Sequence, residues 1–529
     1  MNRRGPALAW TGHGDGGSVA AVDPVVLGTV AALGVVTLVL IFVADGNVGV
    51  AIAPVALLTI VAAVLRFPLR HSLLVLGFLC LTLESPGDAA KWKSPLYAVG
   101  ALMLAHLNHT VPIKALFFSG ADLTILLLLG VWIARRMSAS PLDVRGSIAP
   151  VEPLRGSAWL CLATIAVVWA YGLARAGTEW GMSLWQVSKV VYLPLVFLLY
   201  CVGVRGQIDA RALGGTLIVA ALVRALIAVW VRHLYPDTVA VPHATSHSDS
   251  MLFVDALFLL VALVFEQRTR RNLRLLLATA PIIAWGMVAN NRRLAWIELT
   301  LGLLAFYFIT PFTAFKRRIA QVISVLVPVI AIYSLIGWNS SSRFFAPVRM
   351  MRSVVDSESD ASALWRDLEN YNLAWTFGEQ PLLGTGFGHP YEEKLPLPDI
   401  RDLYPLERFV PHNSVLAAFA FGGVIGFVGT WLIIALGMFF AVRVYRVAHL
   451  PQERAVALTT VGILVAYVVH CYGDLGLGTW TSVFTVGPAL ALVGKLAVTT
   501  GAWPARRRGA IRQSITGVAA RMGQPQRPL

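Results

Sequence analysis

Apolar runs long enough to cross a lipid bilayer recur along most of this chain, and they constrain its fold more than any other feature. A bilayer core needs roughly 20 apolar residues as an α-helix. Inside that core every backbone N–H and C=O must be paired within the protein, which leaves helices or a closed β-barrel. Because barrel strands alternate in hydropathy over about 10 residues, these continuous runs exclude a barrel. The sequence therefore predicts an all-α protein, a polytopic transmembrane helical bundle.

About fourteen spans are predicted, counting each run of roughly 20 apolar residues once. One further apolar segment, residues 95–107, is too short to cross and is predicted to form an interfacial or re-entrant helix within an outer loop at 85–112. The predicted spans lie near residues 25–44, 48–65, 70–84, 113–134, 158–175, 186–203, 212–232, 251–266, 273–290, 293–310, 319–337, 413–441, 455–473 and 479–499.

The composition agrees with a membrane protein and excludes other classes. Hydrophobic residues make up 57% of the chain and charged residues 13%, whereas soluble domains carry roughly 25% charged residues. The net charge of +15 does not indicate a nucleic-acid-binding protein, because the basic residues lie in short connectors and form no basic soluble domain. The four cysteines lie in apolar runs without a CxxC pair, so neither a disulfide framework nor a zinc site is predicted.

The basic residues also predict the orientation of the chain. They cluster in alternate connectors, and short connectors rich in Lys and Arg stay in the cytoplasm. Both termini are then cytoplasmic, the number of spans is even, and the hydrophilic segment 338–411 lies outside the cytoplasm. The basic connectors are those near residues 3–4, 66–70, 135–155, 205–211, 268–274, 316–318, 443–454 and 506–508.

These patterns divide the chain into five regions. Residues 1–24 are predicted to be a disordered cytoplasmic tail, followed by a transmembrane bundle over 25–337. Residues 338–411 form one long extracytoplasmic loop with short helices. Residues 412–500 return as the C-terminal transmembrane helices, and 501–529 form a basic cytoplasmic tail.

The extracytoplasmic loop has internal structure of its own. Residues 361–379 are predicted to be a helix, whose apolar stripe lies either on the membrane surface or under the rest of the loop. A proline and three glycines then break the chain into turns. The stripe consists of Leu364, Leu368, Tyr371 and Trp375, and the breaking residues are Pro381, Gly384, Gly386 and Gly388.

Three arginines are exceptions to the charge rule. Arg292 and Arg293 form an outer turn between two spans, and Arg224 lies within a span. Charges in such places are costly and usually face a cavity or a partner, and the planar guanidinium suits phosphate oxygens. Two interpretations stay open: binding of a phosphate group, or an ion pair inside the protein. The acidic candidates for such a pair are Asp122, Asp249, Asp255 and Glu298.

His412 stands where the long loop re-enters the membrane. With an ordinary pKa of about 6.5, a histidine can take a proton from a hydroxyl at physiological pH. It could equally cap or pack the start of the helix. His243 and His247 are spaced as a metal pair would be on a helix, but their segment reads as a loop, which favours substrate contact or solvation. Lys189 and Asp474 are interpreted as structural charges.

Taken together, these stretches resemble the superfamily of O-antigen ligases and Wzy-type polysaccharide polymerases. The turn NRRLAW is similar to the arginine turn of that family, although its two arginines leave open which one is the counterpart. The chain also has more predicted spans than is usual there. The matching stretches are NRRLAW at 291–296, WR at 365–366 through Asn372, PLLGTGFG at 381–388, and HNSVL at 412–416 with Gly422, Gly423 and Gly426.

The resemblance implies a GT-C-like, metal-independent glycosyltransferase without a cofactor, in the bacterial inner membrane. Its donor would be a glycan on undecaprenyl pyrophosphate, and its acceptor a glycan or glycolipid hydroxyl at the outer face. His412 would be the catalytic base, and Arg292, Arg293, Arg224 and Arg366 would bind the pyrophosphate. The predicted supporting residues are Asn413, Gly384, Gly386 and Asp249.

The pathway implied is assembly of exopolysaccharide, capsule or O-antigen in the cell envelope, with a chain-length regulator and a flippase as partners. A polymerase is favoured over a ligase that transfers O-antigen to lipid A–core. A transporter or flippase of lipid-linked saccharides is the rival from another class. It predicts an inverted repeat and helices broken near mid-membrane, and the sequence indicates neither.

Overall fold

The computed structural model describes residues 35, 59–83, 96–106, 118–138, 143, 148–235, 243–340, 342, 345, 348, 352, 361–398 and 406–503. The chain divides into two compact units, Met1–Arg66 and Phe67–Leu529. In the first unit, residues 59–66 are helical. Among the described residues there is no sheet, and β-structure is limited to one isolated bridge between His106 and Ser119. The predicted all-α class is confirmed.

The helices of the second unit follow one another through short connections. They are α1 (Leu69–Thr82), α2 (Tyr97–Leu104), α3 (Gly120–Met137), α4 (Glu152–Ala174), α5 (Trp180–Gly203), α6 (Gln207–Leu234), α7 (His247–Glu266), α8 (Arg270–Asn290), α9 (Arg293–Ile309), α10 (Ala314–Gly337), α11 (Ala361–Glu379), α12 (Ser414–Val447), α13 (Pro451–Gly473) and α14 (Trp480–Thr499).

Eight of the described helices are long and apolar enough to cross a membrane, or nine if the bent helix α5 counts as one span. Every predicted span from 70–84 onward coincides with a helix, but α1 has only 14 residues and α9 only 17. The predicted span near 25–44, most of that near 48–65, and both predicted tails except residues 501–503 lie outside the described residues. The count of about fourteen spans, at roughly 20 residues each, therefore stays a prediction.

Three helices form the centre of the bundle. α14 is almost wholly buried, and α7 and α13 are buried over most of their length. Glycines let their neighbours approach closely: a Cβ on Gly462 of α13 would lie 2.6 Å from the ring of Phe258 of α7, and one on Gly302 of α9 would lie 2.0 Å from the same ring. By contrast, the apolar window of α10 buries none of its residues, as expected of a helix that faces lipid.

Two helices depart from the continuous spans predicted. α5 bends by 40° near residue 189, and α12 is interrupted at Gly423, whose φ of 59° and ψ of −159° are not helical. The interruption exposes carbonyl groups of the preceding turn, and the loop after α11 pairs with them. The N–H groups of Thr385 and Gly386 donate to Ala420 O and Phe421 O, both at 2.9 Å. The prediction that no helix is broken was thus wrong, because a distant loop satisfies the freed carbonyls.

The long loop contains the predicted helix, since α11 spans Ala361–Glu379. Leu364 and Tyr371 of its apolar stripe are exposed, which excludes the interpretation that the stripe lies under the loop. The buried face of α11 is instead made of Glu369, Asn372, Leu373 and Thr376. The side of the bundle against which α11 and segment 381–398 pack is called the loop side.

Candidate functional site

The turn between α8 and α9 fixes the position of Arg292 on the loop side. Asn291 ends α8 in the left-handed conformation (φ 54°, ψ 41°), and Arg292 is the N-cap of α9. The fully buried Asn290 accepts a hydrogen bond from the N–H of Thr245 at 2.8 Å and donates to Ser246 O at 3.0 Å. The turn is therefore tied to the segment that begins α7, and Arg292 is held over that segment.

Arg292 makes its contacts with α7 and the residues just before it. One guanidinium nitrogen bonds Nε2 of His247, and the other donates to Thr245 O at 3.2 Å. The Nδ1 atom of His247 lies 3.6 Å from the Asp474 carboxylate. Arg293 is the first residue of α9 and is half-buried. The structure thus separates the two arginines, since Arg292 is the one that joins α9 to α7.

Asp474 lies at the end of α13, where three histidines surround its carboxylate. Burial raises its pKa, but the imidazoles of His247, His470 and His412 outweigh this effect and hold the pKa below its usual value. The carboxylate is therefore ionised at neutral pH. Its backbone carbonyl accepts a hydrogen bond from the Ser414 hydroxyl at 3.2 Å. Asp474 thus connects the Arg292 region to the start of α12.

His412 is held by the buried Glu369 of α11. The two atoms His412 Nδ1 and Glu369 Oε1 lie 3.4 Å apart, and the His412 backbone N–H donates to Oε2 at 3.1 Å. The Trp365 ring packs edge-on against the imidazole at 5.0 Å. Because Nδ1 donates to the carboxylate, Nε2 is the nitrogen that can accept a proton. The histidine side chain is 26% exposed, so it can reach a ligand.

Asn413 organises the helix start behind His412. Its side-chain oxygen accepts from the N–H groups of Val415 and Leu416 at 3.1 and 3.0 Å, which caps α12. Its amide nitrogen donates to Asn370 at 2.9 Å. The predicted supporting residue Asn413 therefore joins α11 to α12 beside the imidazole.

The glycine loop after α11 fits against α4 and α12 only without side chains. Gly384 and Gly386 have φ values of 60° and 79°, a region that favours glycine. A Cβ on Gly384 would lie 2.3 Å from Ala420 O, and one on Gly386 would lie 2.6 Å from the Cα of Gly172. These two predicted supporting residues thus fasten the end of α11 to the interruption in α12.

Arg224 forms a buried ion pair with Asp249. The Arg224 Nε donates to Asp249 at 2.8 Å, a second guanidinium nitrogen bonds the other oxygen, and the arginine is 1% exposed. Asp249 also accepts from the N–H of Ser246, 3.3 Å away, which begins α7. This is the ion-pair alternative that the sequence left open. Both residues support the start of α7 from within the bundle.

Arg366 brings α11 to the same region. It is half-buried and interacts electrostatically with His247, and no carboxylate of the described residues lies within ion-pair distance of it. The structure therefore gathers Arg292, Arg366 and His412 on the loop side, around the carboxylate of Asp474. Arg224 lies deeper in the bundle. In the described part of the chain, no three His, Cys, Asp or Glu side chains converge where a metal ion could be held.

Sequence reasoning missed three residues of this site: Glu369, His247 as a partner of Arg292, and Asp474 at their junction. A signal existed for Glu369, which follows Trp365 by four residues and so shares its helix face. No local signal existed for Asp474, since it is 62 positions beyond His412 in the sequence (474 − 412) and is brought close only by the packing of α13.

The comparisons with known proteins agree with the location of this site. No curated protein matches the chain significantly. A family model described as Wzy_C, O-antigen ligase, matches residues 277–431. The matched segment begins within α8 and ends within α12, and it includes Arg292, Arg366, Glu369 and His412. This is a family of multi-pass membrane proteins that perform ligase- or polymerase-type glycan transfer with lipid-linked glycans. Residues 277–431 of this chain are therefore an O-antigen ligase domain of the Wzy_C type.

Proposed function

We propose that this protein is a polysaccharide polymerase that transfers a glycan from undecaprenyl pyrophosphate to a sugar hydroxyl at the outer face of the bacterial inner membrane. The observation that carries the proposal is the convergence of a carboxylate-held imidazole, His412, with two arginines on the loop side. A glycan donor of this kind presents a diphosphate and a sugar together, and those groups need a cationic site beside a base.

In the proposed reaction, His412 Nε2 takes the proton of the acceptor hydroxyl as its oxygen bonds the anomeric carbon of the donor. The bond between that carbon and the phosphate oxygen breaks, and undecaprenyl pyrophosphate leaves with the electron pair. Glu369 stabilises the imidazolium that forms. Arg292 and Arg366 neutralise the charge that gathers on the departing diphosphate, and such preorganised charges favour the transition state.

An apolar groove beside His412 suits the lipid tail of the donor. It starts at Pro411 and Ser414 and continues between α4 and α12 toward the middle of the bundle. Small residues of α12 keep it open. In the proposed function it holds the isoprenoid units next to the diphosphate. Its walls include Thr164, Ile165, Val168, Ala418, Gly422 and Gly426.

The broken helix of α12 does not favour the transporter alternative. In transporters, broken helices leave backbone groups open to line an ion or substrate site. In this chain, the freed carbonyls of Ala420 and Phe421 are paired with the loop that contains Gly384 and Gly386. A break sealed in this way supports a rigid site on the loop side better than a moving gate.

The proposed function is tested by reconstituting the purified protein with a lipid-linked repeat unit. A polymerase lengthens the lipid-linked glycan and releases one undecaprenyl pyrophosphate for each bond formed. Capping of an added lipid A–core acceptor without lengthening would assign the ligase instead. Movement of the intact donor across the vesicle membrane, without product, would assign the transporter.

Replacement of Glu369 by glutamine is expected to slow transfer on the order of 10- to 100-fold, the usual loss when one charged hydrogen-bond partner is removed. The amide can still accept from the backbone N–H of His412, but it cannot stabilise the imidazolium. The turnover number at saturating donor should therefore fall while the KM for donor stays unchanged. Glu379→Gln, at an exposed position of the same helix, is the matched control. Equal turnover in the two variants would contradict the role of Glu369.

Filling the groove is expected to weaken donor binding without changing the chemistry. A Cβ on Gly426 would lie 3.5 Å from Ala418 O and 3.6 Å from Val168, which are ordinary contacts, so the ring of Gly426→Phe can enter the groove without a backbone clash. Displacing one isoprenoid unit should raise the KM for donor by about 10-fold or more. Val428→Phe, at a 50% exposed position of the same helix, is the control. An unchanged KM in Gly426→Phe would place the lipid tail elsewhere.

A further inference from the structure

We propose that His247 is a positioning residue for the diphosphate-binding arginine. In this role its ring stays neutral, with Nε2 accepting a hydrogen bond from Arg292 and the Nδ1 proton facing Asp474. The inference rests on the proposed function, since it assumes that Arg292 contacts the diphosphate of the donor. His247 and Asp474 both lie outside the residues 277–431 that match the O-antigen ligase domain.

The tautomer of His247 follows from the chemistry of its two neighbours. A guanidinium has N–H donors and no acceptor, so the ring nitrogen that bonds Arg292 must accept. That nitrogen is Nε2, and a neutral imidazole then carries its proton on Nδ1. The Nδ1 atom is buried and lies 3.6 Å from the Asp474 carboxylate. Each side of the ring thus meets the partner that this one tautomer requires.

The neighbouring imidazole shows how this environment treats a histidine. The ring of His243 lies 6.2 Å from that of His247 and is outside the spanning helices. Burial and the nearby Arg292, together with Arg232, lower the pKa of His243 to about 4, although backbone carbonyls of the α8–α9 turn oppose the shift. Positive charge is therefore disfavoured beside Arg292, which is consistent with a neutral His247 between the arginine and the carboxylate.

A second contact between the same helices fixes their register. His470 of α13 and Glu298 of α9 are both fully buried, and His470 Nδ1 lies 3.0 Å from Glu298 Oε1. α9 begins at Arg293, directly after Arg292, and α13 is followed directly by Asp474. The buried pair therefore holds the two helix ends at a constant offset, so that His247 can bridge Arg292 and Asp474.

The physical consequence is a preorganised guanidinium. Two of its nitrogens are committed to α7 and the residues before it, to His247 and to Thr245 O, which restricts the rotamers of a long, flexible side chain. A ligand then binds without first ordering that side chain. Losing the acceptor on His247 should therefore weaken diphosphate binding more than it slows the bond-forming step.

The test compares two replacements of His247 in the purified full-length protein, with farnesyl diphosphate as the probe. Leucine removes the acceptor, whereas the amide oxygen of glutamine can occupy the place of Nε2. His247→Leu is expected to weaken diphosphate affinity on the order of 10-fold, the loss typical of one hydrogen bond to a charged group. It should raise the KM for lipid-linked donor similarly and change turnover at saturating donor less. His247→Gln is expected to restore most of the affinity. His449→Gln, at an exposed position, is the control.

Several outcomes would overturn the inference. His247→Leu with wild-type affinity would mean that Arg292 needs no such acceptor, and His247→Gln as weak as His247→Leu would mean that an acceptor alone is not the reason. If the leucine variant does not fold, Asp474→Asn decides, because it preserves shape but no longer fixes the Nδ1 proton. Its affinity must fall for the inference to stand. Arg292→Gln separates the two proposals, since unchanged affinity in that variant would instead contradict the proposed function.

Discussion

His412→Ala is expected to abolish glycan chain growth while the protein accumulates at its normal level in the membrane. A positioned general base contributes typically 10²–10⁴-fold to a proton-transfer step, so turnover should fall by about that factor. The KM for the lipid-linked donor should change little, because the imidazole acts on the acceptor hydroxyl. The measurement is the length distribution of the polymer made by the reconstituted variant.

The surroundings of His412 explain why folding should survive this change. The imidazole is partly exposed, and the cap of α12 is supplied by the neighbouring Asn413. The Glu369 carboxylate keeps its contact with the backbone N–H of residue 412 in the variant. A polymer of normal length made by His412→Ala would remove the histidine from the reaction.

Arg292→Gln is expected to lower the rate of transfer by about 10²–10³-fold, the usual loss when one group that stabilises developing negative charge is removed. Arg292 bonds His247 and Thr245 O at the start of α7, where it faces the same region as His412. Glutamine keeps polar character but carries no charge for the departing diphosphate. The measurement is the rate of undecaprenyl pyrophosphate release under single-turnover conditions.

Arg293→Gln is the matched comparison, because the two arginines are adjacent in the turn. Arg293 begins α9, whereas Arg292 caps it and turns toward α7. We expect Arg293→Gln to retain most of the activity. A larger loss in Arg293→Gln than in Arg292→Gln would reverse the assignment of the diphosphate ligand. Lysine at position 292 should rescue only in part, since it keeps the charge and loses the two-pronged geometry.

The helices of this fold could be predicted from sequence because each apolar run carries its own signal. α11, for example, begins and ends at the predicted residues, 361 and 379. The interruption of α12 could not be predicted, because Gly423 departs from helical geometry only where the loop around Gly384 supplies hydrogen bonds to the preceding turn. The sequence between 413 and 441 shows one continuous apolar run.

The site was predictable only in its most unusual residues. Arg292 violates the charge rule, and His412 stands at the boundary of a long hydrophilic loop, so both attract attention in the sequence. Glu369 was hidden on a helix whose apolar stripe was expected to be buried, and that stripe proved to be exposed. Asp474 was interpreted as a structural charge because its three histidine neighbours come from α7, α13 and the end of the long loop, which are distant in sequence.

The central claim is that His412 and Arg292 meet at one donor site on the outer face of the membrane. Single cysteines at positions 412 and 292 test it directly, with a membrane-impermeant maleimide applied to intact cells and to inverted vesicles. The four native cysteines are buried and should give little background. The account predicts that both positions are labelled only from outside and that farnesyl diphosphate protects both. Labelling of either position from the cytoplasmic side, or protection of one without the other, would contradict it.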